Sequence, residues 1–274
     1  MVHGRLPAAP AAGSPARVRP APRGPVRPGP TLVLIAHGSR DPRHAATVEA
    51  MVRQVHALRP RLEVATAYLE FCAPRIPQVT GRLAGVPAVA VPLLLNRAFH
   101  AKTDIPAALR EAGADLPVAD VLGPSPLLLA ALERRLAETG LDVGSAAVRA
   151  RTGVVLAAAG SSDPAAGRAT RALAADWRRT RGWAGVEVAY AASAAAGPRL
   201  PDAVATLRGA GAARVAVAPY LLAPGLLPDR IAAAAGSADL VAPVLGACPE
   251  IARLLLLRYD EARAAAAAAP ALTA

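Results

Sequence analysis

Aromatic side chains are scarce in this chain. Phenylalanine, tyrosine and tryptophan make up 3% of its 274 residues. A core must then be filled by small aliphatic groups, which the 54% hydrophobic content supplies. The shortage also speaks against single-stranded nucleic-acid binding, which uses aromatic platforms for the bases. Cysteine is rarer still. Cys72 and Cys248 stand far apart with no Cys-x-x-Cys spacing, which excludes a disulfide scaffold or zinc knuckle and fits a reducing cytoplasm. No apolar run reaches the ~20 residues that cross a bilayer. The stretch "IARLLLLRY" at 251–259 is short and interrupted by Arg253 and Arg258. A cytoplasmic protein without membrane contact is expected. No Gly-x-Ser-x-Gly elbow occurs, so a serine hydrolase is not supported.

Acidic residues are missing from the first 30 positions. That segment holds Arg5, Arg17, Arg19, Arg23 and Arg27 together with eight prolines, and it has no apolar core of a secretory signal. It reads as a disordered tail, 1–30. Five of the excess charges behind the formal +11 therefore belong to the tail, which weakens the case for a nucleic-acid partner.

What is present is alternation. Short, nearly continuous apolar runs at 32–36, 63–68, 88–95 and 117–121 have the character of buried parallel strands. Between them, Val48, Met51, Val52, Val55 and Leu58 make one apolar stripe at helical spacing, and "SPLLLAALERRLAETG" at 125–140 opens on a Ser cap and closes at a glycine. The pattern then restarts, with strands expected at 153–158, 186–191, 214–222 and 239–242. Helices are expected at 165–181, 199–209, 228–235 and 249–268. This order predicts an α/β fold of two similar lobes, 31–143 and 150–268, each a parallel four-stranded sheet flanked by helices. "DVGSAAVRAR" at 142–151 would link them, and an internal duplication of about 120 residues explains the likeness. Such sheets bind ligands at the carboxyl ends of their strands.

The duplication acts as an internal control, because residues kept in both halves serve the fold and residues kept in one are candidates for chemistry. "HGSRDP" at 37–42 matches "AGSSDP" at 159–164. The glycine, serine and Asp-Pro make a strand-to-helix turn and cap in both, while His37 becomes Ala159. Glu70 in "TAYLEF" is aligned with Ala194, and His100 in "PLLLNRAFH" with Leu227. Two imidazoles and a carboxylate thus follow three successive strands of the first half only, and together they form a candidate divalent-metal site. His44 and His56, on the next helical segment, are read as a solvated face.

At these residues the chain resembles the class II tetrapyrrole chelatases, specifically the CbiX/SirB-type sirohydrochlorin chelatases in their long two-domain form. The matching stretches are "LIAHGSRDPR" (34–43), "AYLEFCAPRIPQ" (67–78), "VAVPLLLNRAFHAKTDIP" (89–106), "LGPSPLLLAALERRL" (122–136) and "LGACPEIARLLLLRYDEA" (245–262). Ala98 departs from the glycine common at that place. The resemblance implies insertion of a divalent metal, Fe2+ or Co2+, into sirohydrochlorin for sirohaem or cobalamin, with metal-binding and catalytic roles on His37, Glu70 and His100. The metal would be a substrate, with no permanently bound cofactor. Ser39, Arg40, Arg43, Arg97 and Lys102 lie near the three in sequence and are candidates to meet the carboxylates of the tetrapyrrole. A monomer or homodimer is expected. A metal- or tetrapyrrole-binding carrier without turnover would use the same residues. A phosphohistidine mutase, which also places His-Gly at a strand end, is disfavoured by Ala36, where such enzymes carry arginine.

Overall fold

The computed structural model describes residues 1, 29–97, 103–191 and 197–268. Most of the expected tail, together with His100, Lys102 and Ala194, lies outside them. The first half contributes β1 (Thr31–Ala36), α1 (Pro42–Leu58), β2 (Val64–Tyr68), α2 (Ile76–Arg82), β3 (Ala88–Pro92), α3 (Ile105–Glu111) and α4 (Pro126–Ala137). A short α5 (Ala146–Arg149) sits in the expected linker. The second half follows with β4 (Thr152–Ala158), α6 (Pro164–Arg181), β5 (Gly185–Tyr190), α7 (Leu200–Gly209), β6 (Arg214–Tyr220), α8 (Leu226–Ala234), β7 (Leu240–Val241) and α9 (Pro249–Ala268).

Both sheets are parallel, ordered β2-β1-β3 and β5-β4-β6-β7. The fold class expected from the sequence is therefore observed, with one difference in the first sheet. Its fourth strand is reduced to a bridge between Ala90 and Val118. Ala90 N donates to Pro117 O and Ala119 N donates to Ala90 O. In the second sheet Ala242 N likewise donates to Val217 O, and Asp239 N adds a bond to Val215 O one step earlier, which extends that pairing to the two residues of β7. Pro92 and Pro219 hold equivalent places beyond this pairing, in β3 and β6.

Alternation along β1 assigns its two faces. Leu32, Leu34 and Ala36 enter one large core; Val33 and Ile35 pack with Ile76, Val79, Ile105 and Leu109 on the other side. In β4, Val154, Leu156 and Ala158 enter that same large core, and Val155 and Ala157 lie under α7 and α8. The inner faces of both sheets thus share one continuous core, where α4 and α9 lie.

Those two helices are exchanged between the halves. α9, from the end of the chain, packs on α1, β3 and α4, while α4 packs on β6. The exchange is reciprocal in detail. Arg135 of α4 donates from Nε and Nη2 to the Leu245 carbonyl, 2.9 and 2.8 Å away. Arg258 of α9 donates from Nη2 to the Leu122 carbonyl at 3.2 Å and from Nε to Val121 O at 2.8 Å. Between the helices, Arg134 Nε and Nη2 donate to both oxygens of buried Glu250, each at 2.8 Å.

The Arg134 bonds hold the Glu250 carboxyl at about 2, below its ordinary 4.5, against the opposing effect of burial. A folded value below the unfolded one means the contribution is complete above pH 4.5 and is lost as pH falls toward 2. Glu250→Gln should lower unfolding free energy by about 1–2 kcal/mol at neutral pH. It should also flatten the stability curve between those two pH values. Denaturant titrations across the acid range measure both effects.

Candidate metal and tetrapyrrole site

The chain leaves β1 at Ala36, so His37 stands at the carboxyl edge of the first sheet. Gly38 then turns with φ +93, and Asp41 caps α1 by accepting from Arg43 N at 2.9 Å while donating its own N–H to Ser39 Oγ at 3.1 Å. The second half repeats this turn closely. Gly160 has φ +92, Asp163 accepts from Ala165 N at 2.8 Å, and Asp163 N donates to Ser161 Oγ at 3.1 Å. The motif common to both copies is thus the turn and cap, as its duplication implied. His37 is the part that differs.

The loop after β2 wraps around the His37 turn. Leu69 N donates to Ala36 O at 3.0 Å and Glu70 N to His37 O at 2.8 Å. Ser39 N donates to the Cys72 thiol at 3.5 Å, and that thiol donates back to Ser39 O at 3.1 Å. A Cβ on Gly38 would stand 1.8 Å from the Glu70 carbonyl oxygen, so only glycine fits there. His37 and Glu70 are therefore brought side by side through their backbones. Glu70 itself is exposed.

His37 opens onto a cavity of about 530 Å³ at the carboxyl ends of both sheets, where the strand order reverses at β1/β3 and at β4/β6. The two sides of its wall differ in chemistry. The first half offers His37, Ser39, His44 and Asn96 beside Leu93, Leu94 and Leu95. The second offers Ser161, Thr170, Tyr190 and Tyr220 within a larger aliphatic surface that includes Ala159, Leu221, Leu222, Ala223, Leu226 and Leu227, and no histidine. Asn96 Nδ2 donates to Thr170 Oγ1 at 3.1 Å, tying the polar wall to α6 of the other half.

The strand register revises one pairing. Ala36 faces Tyr68 and Ala158 faces Tyr190, so Tyr68 corresponds to Tyr190 and, counted on along the sequence, Glu70 to Ala192 where the sequence alignment gives Ala194; Ala192 and Ala194 both lie outside the described residues. Leu227 remains the partner of His100, because Thr31 faces Ala88 and Gly153 faces Val215. The same register exposes a residue that sequence reasoning missed. His44 is half-buried and lines the cavity, whereas it was expected on a solvated face. Burial lowers its pKa, nearby His37 adds to that, and Asp41 opposes it. The offset that pairs His37 with Ala159 also pairs His44 with Ala166, which lines the cavity as well. That offset was the available signal.

Of the expected basic contacts, Arg40, Arg43 and Arg97 stand outside this wall, which contains no arginine or lysine among the described residues; Lys102 lies outside the described residues. Arg40 lies over the Phe71 ring, 5.0 Å from its centroid. Arg43 binds Asp41 and reaches across to Asp229 of α8 at 2.6 Å, and these bonds raise its pKa while lowering that of Asp41. Arg97 pairs with Asp120 at 2.6 Å. Among the described residues no three His, Cys, Asp or Glu side chains gather tightly enough to hold a metal ion.

A family model described as CbiX matches residues 31–139 and again 153–262. The chain belongs to the CbiX family. Its two matched segments fall on the two sheets, so the family unit occurs twice in one polypeptide. Among curated proteins, a sirohydrochlorin cobaltochelatase of Priestia megaterium is 30% identical over 213 residues, 73% of this chain and 67% of the relative. A sirohydrochlorin ferrochelatase of the same organism is 29% identical over 211 residues, covering 73% and 76%. The fold is that of SirB from Bacillus subtilis solved with Fe3+, at TM-score 0.73 and 21% identity, over 87% of this chain and 97% of that one. A CbiX structure described as the terminal enzyme of sirohaem biosynthesis in denitrifying bacteria aligns at TM-score 0.61 and 22% identity, covering 87% and 99%.

Gly38→Ala should cost about 2 kcal/mol or more in stability, combining an αL penalty with the clash at Glu70 O. Gly140→Ala, at φ +88 with open space around its Cβ, should cost only about 1 kcal/mol. Thermal unfolding of the two variants compares them directly.

Proposed function

We propose that this CbiX-family chain is a sirohydrochlorin chelatase, inserting Fe2+ or Co2+ into the macrocycle, with the metal as substrate and no resident cofactor. The observation that carries the reading is the lopsided cavity. Both histidines of its wall, His37 and His44, come from the first half and most of its aliphatic surface from the second, a setting suited to a flat macrocycle with one reactive centre. Both named activities among the curated relatives support it.

The chemistry is an exchange of one divalent cation for two pyrrole N–H protons, so charge balances without redox. Neutral imidazole binds Fe2+ and Co2+ firmly enough to strip water and loosely enough to release the ion. His37 and His100 would present the metal, and the Glu70 carboxylate would receive a proton or offset charge beside them. Ser39 lines the cavity and is a candidate contact for the ring periphery. Arg40, Arg43 and Arg97 would meet carboxylates outside the wall, Arg43 and Arg97 by exchanging their present partners, and Lys102 is a further candidate for such a contact. No helix of the described residues is long and apolar enough to cross a membrane, and two free thiols support a cytoplasmic setting. We read the chain as two lobes, 31–143 and 150–268, acting as a monomer or homodimer.

The test is anaerobic incubation with metal-free sirohydrochlorin and Fe2+ or Co2+, following the absorption of the metallated product. His37→Ala and His100→Ala should each lose more than the ~10–100-fold that outer-shell partners of a metal ligand cost, with unfolding temperature retained. Variants that insert metal at the parent rate would refute the site. Stoichiometric Co2+ binding by the parent without product absorption would identify a carrier instead.

A further inference from the structure

We infer that Phe71 is a positioning residue that sets the plane of the His37 imidazole, held in an unfavourable backbone conformation for that purpose. The inference rests on the reading of His37 as the group that presents the metal.

Phe71 has φ +60 and is the one non-glycine residue with positive φ among the described residues. Cys72 N donates to Glu70 O at 2.7 Å, closing a three-residue turn with Phe71 at its centre, a strained form for a bulky side chain. Burial does not repay that strain, because Phe71 remains 49% exposed in a chain with only two phenylalanines. What the ring does contact is the site. It stacks on His37 with centroids 6.3 Å apart and planes 27° from parallel, and the Arg40 guanidinium lies over it. The surrounding backbone and the Cys72–Ser39 bonds already secure the turn, so the ring is not needed to hold it.

The duplication supports this. Counted along the sequence from Tyr68 and Tyr190, which hold equivalent places in the two sheets, the position of Phe71 is Ser193 in the second half. The aromatic ring occurs only in the half that has the histidine. An imidazole donates its lone pair in the ring plane, so rotation of His37 re-aims any ion it carries. His37 Nδ1 lies 3.2 Å from Gly38 O, and a proton there puts the lone pair on Nε2. A ring stacked on one face leaves the metal direction defined.

Glycine takes φ +60 without strain, so the replacement separates position from stability. Phe71→Gly should unfold at the parent temperature or above, leave KM for sirohydrochlorin unchanged, and lower kcat about tenfold or more. Bound Co2+ should show an altered absorption spectrum, and Phe71→Tyr should recover most of the lost kcat. The inference is overturned if Phe71→Gly keeps parent kcat, if Phe71→Tyr is as slow as Phe71→Gly, or if unfolding temperature and kcat fall together. His37→Ala in the same assay separates the two levels. Retained insertion there sinks the site reading itself, whereas lost insertion beside an active Phe71→Gly sinks only this inference.

Discussion

Arg135 on α4 holds the carbonyl that precedes α9, and Arg258 on α9 holds the carbonyl that precedes α4. Each half therefore relies on a helix delivered by the other. The rest of the architecture follows from this. The inner faces of both sheets are buried against the same two helices, which merges what would be two cores into one. With the sheets fixed in this way, the carboxyl ends of β1 and β3 meet those of β4 and β6 around one cavity. An unpaired Glu250 or a truncated α9 would be felt in both halves, because the Arg134–Glu250 pair sits where they join.

The duplication divides labour between scaffold and chemistry. Gly38 and Gly160, Ser39 and Ser161, Asp41 and Asp163 repeat the same turn with nearly identical hydrogen bonds. His37, His44, Glu70, Phe71 and Asn96 have no polar or aromatic equal in the second half beyond Ser193. A cavity with two equivalent walls would offer a planar ligand two indistinguishable faces. Replacement by alanine and leucine on one side converts that wall into packing surface while keeping the turns that shape it. Both halves thus line the cavity, and its histidines come from one.

Much of this was legible in the residues. Alternating apolar runs located the strands, because buried parallel strands leave little room for polar side chains. Asp-Pro and Ser-Pro pairs marked where α1, α6 and α4 begin. The shortness of the fourth strand in the first sheet was not legible from hydrophobicity, since the two sheets differ there by a single backbone bond, Asp239 N to Val215 O in the second. The exchange of α4 and α9 was also hidden, because an apolar stripe tells that a helix is covered but not by which half. His44 was misread for a similar reason: its neighbours His37 and Tyr68 come from separate segments. The two-residue error opposite Glu70 arose from matching "EVA" in both halves, where backbone pairing aligns the two tyrosines instead.

A cleft between two lobes usually admits its ligand by hinging them apart. The reciprocal helices deny that motion here. Opening by rotation would tear Arg135 and Arg258 from their carbonyls and split a continuous apolar core, exposing it to water. Near the cavity, Arg43 and Asp229 also join the two halves, through solvent-exposed side chains. Exposed pairs of that kind are worth at most about 1 kcal/mol. The two halves are therefore joined strongly through core and helices and only weakly through side chains near the cavity's edge.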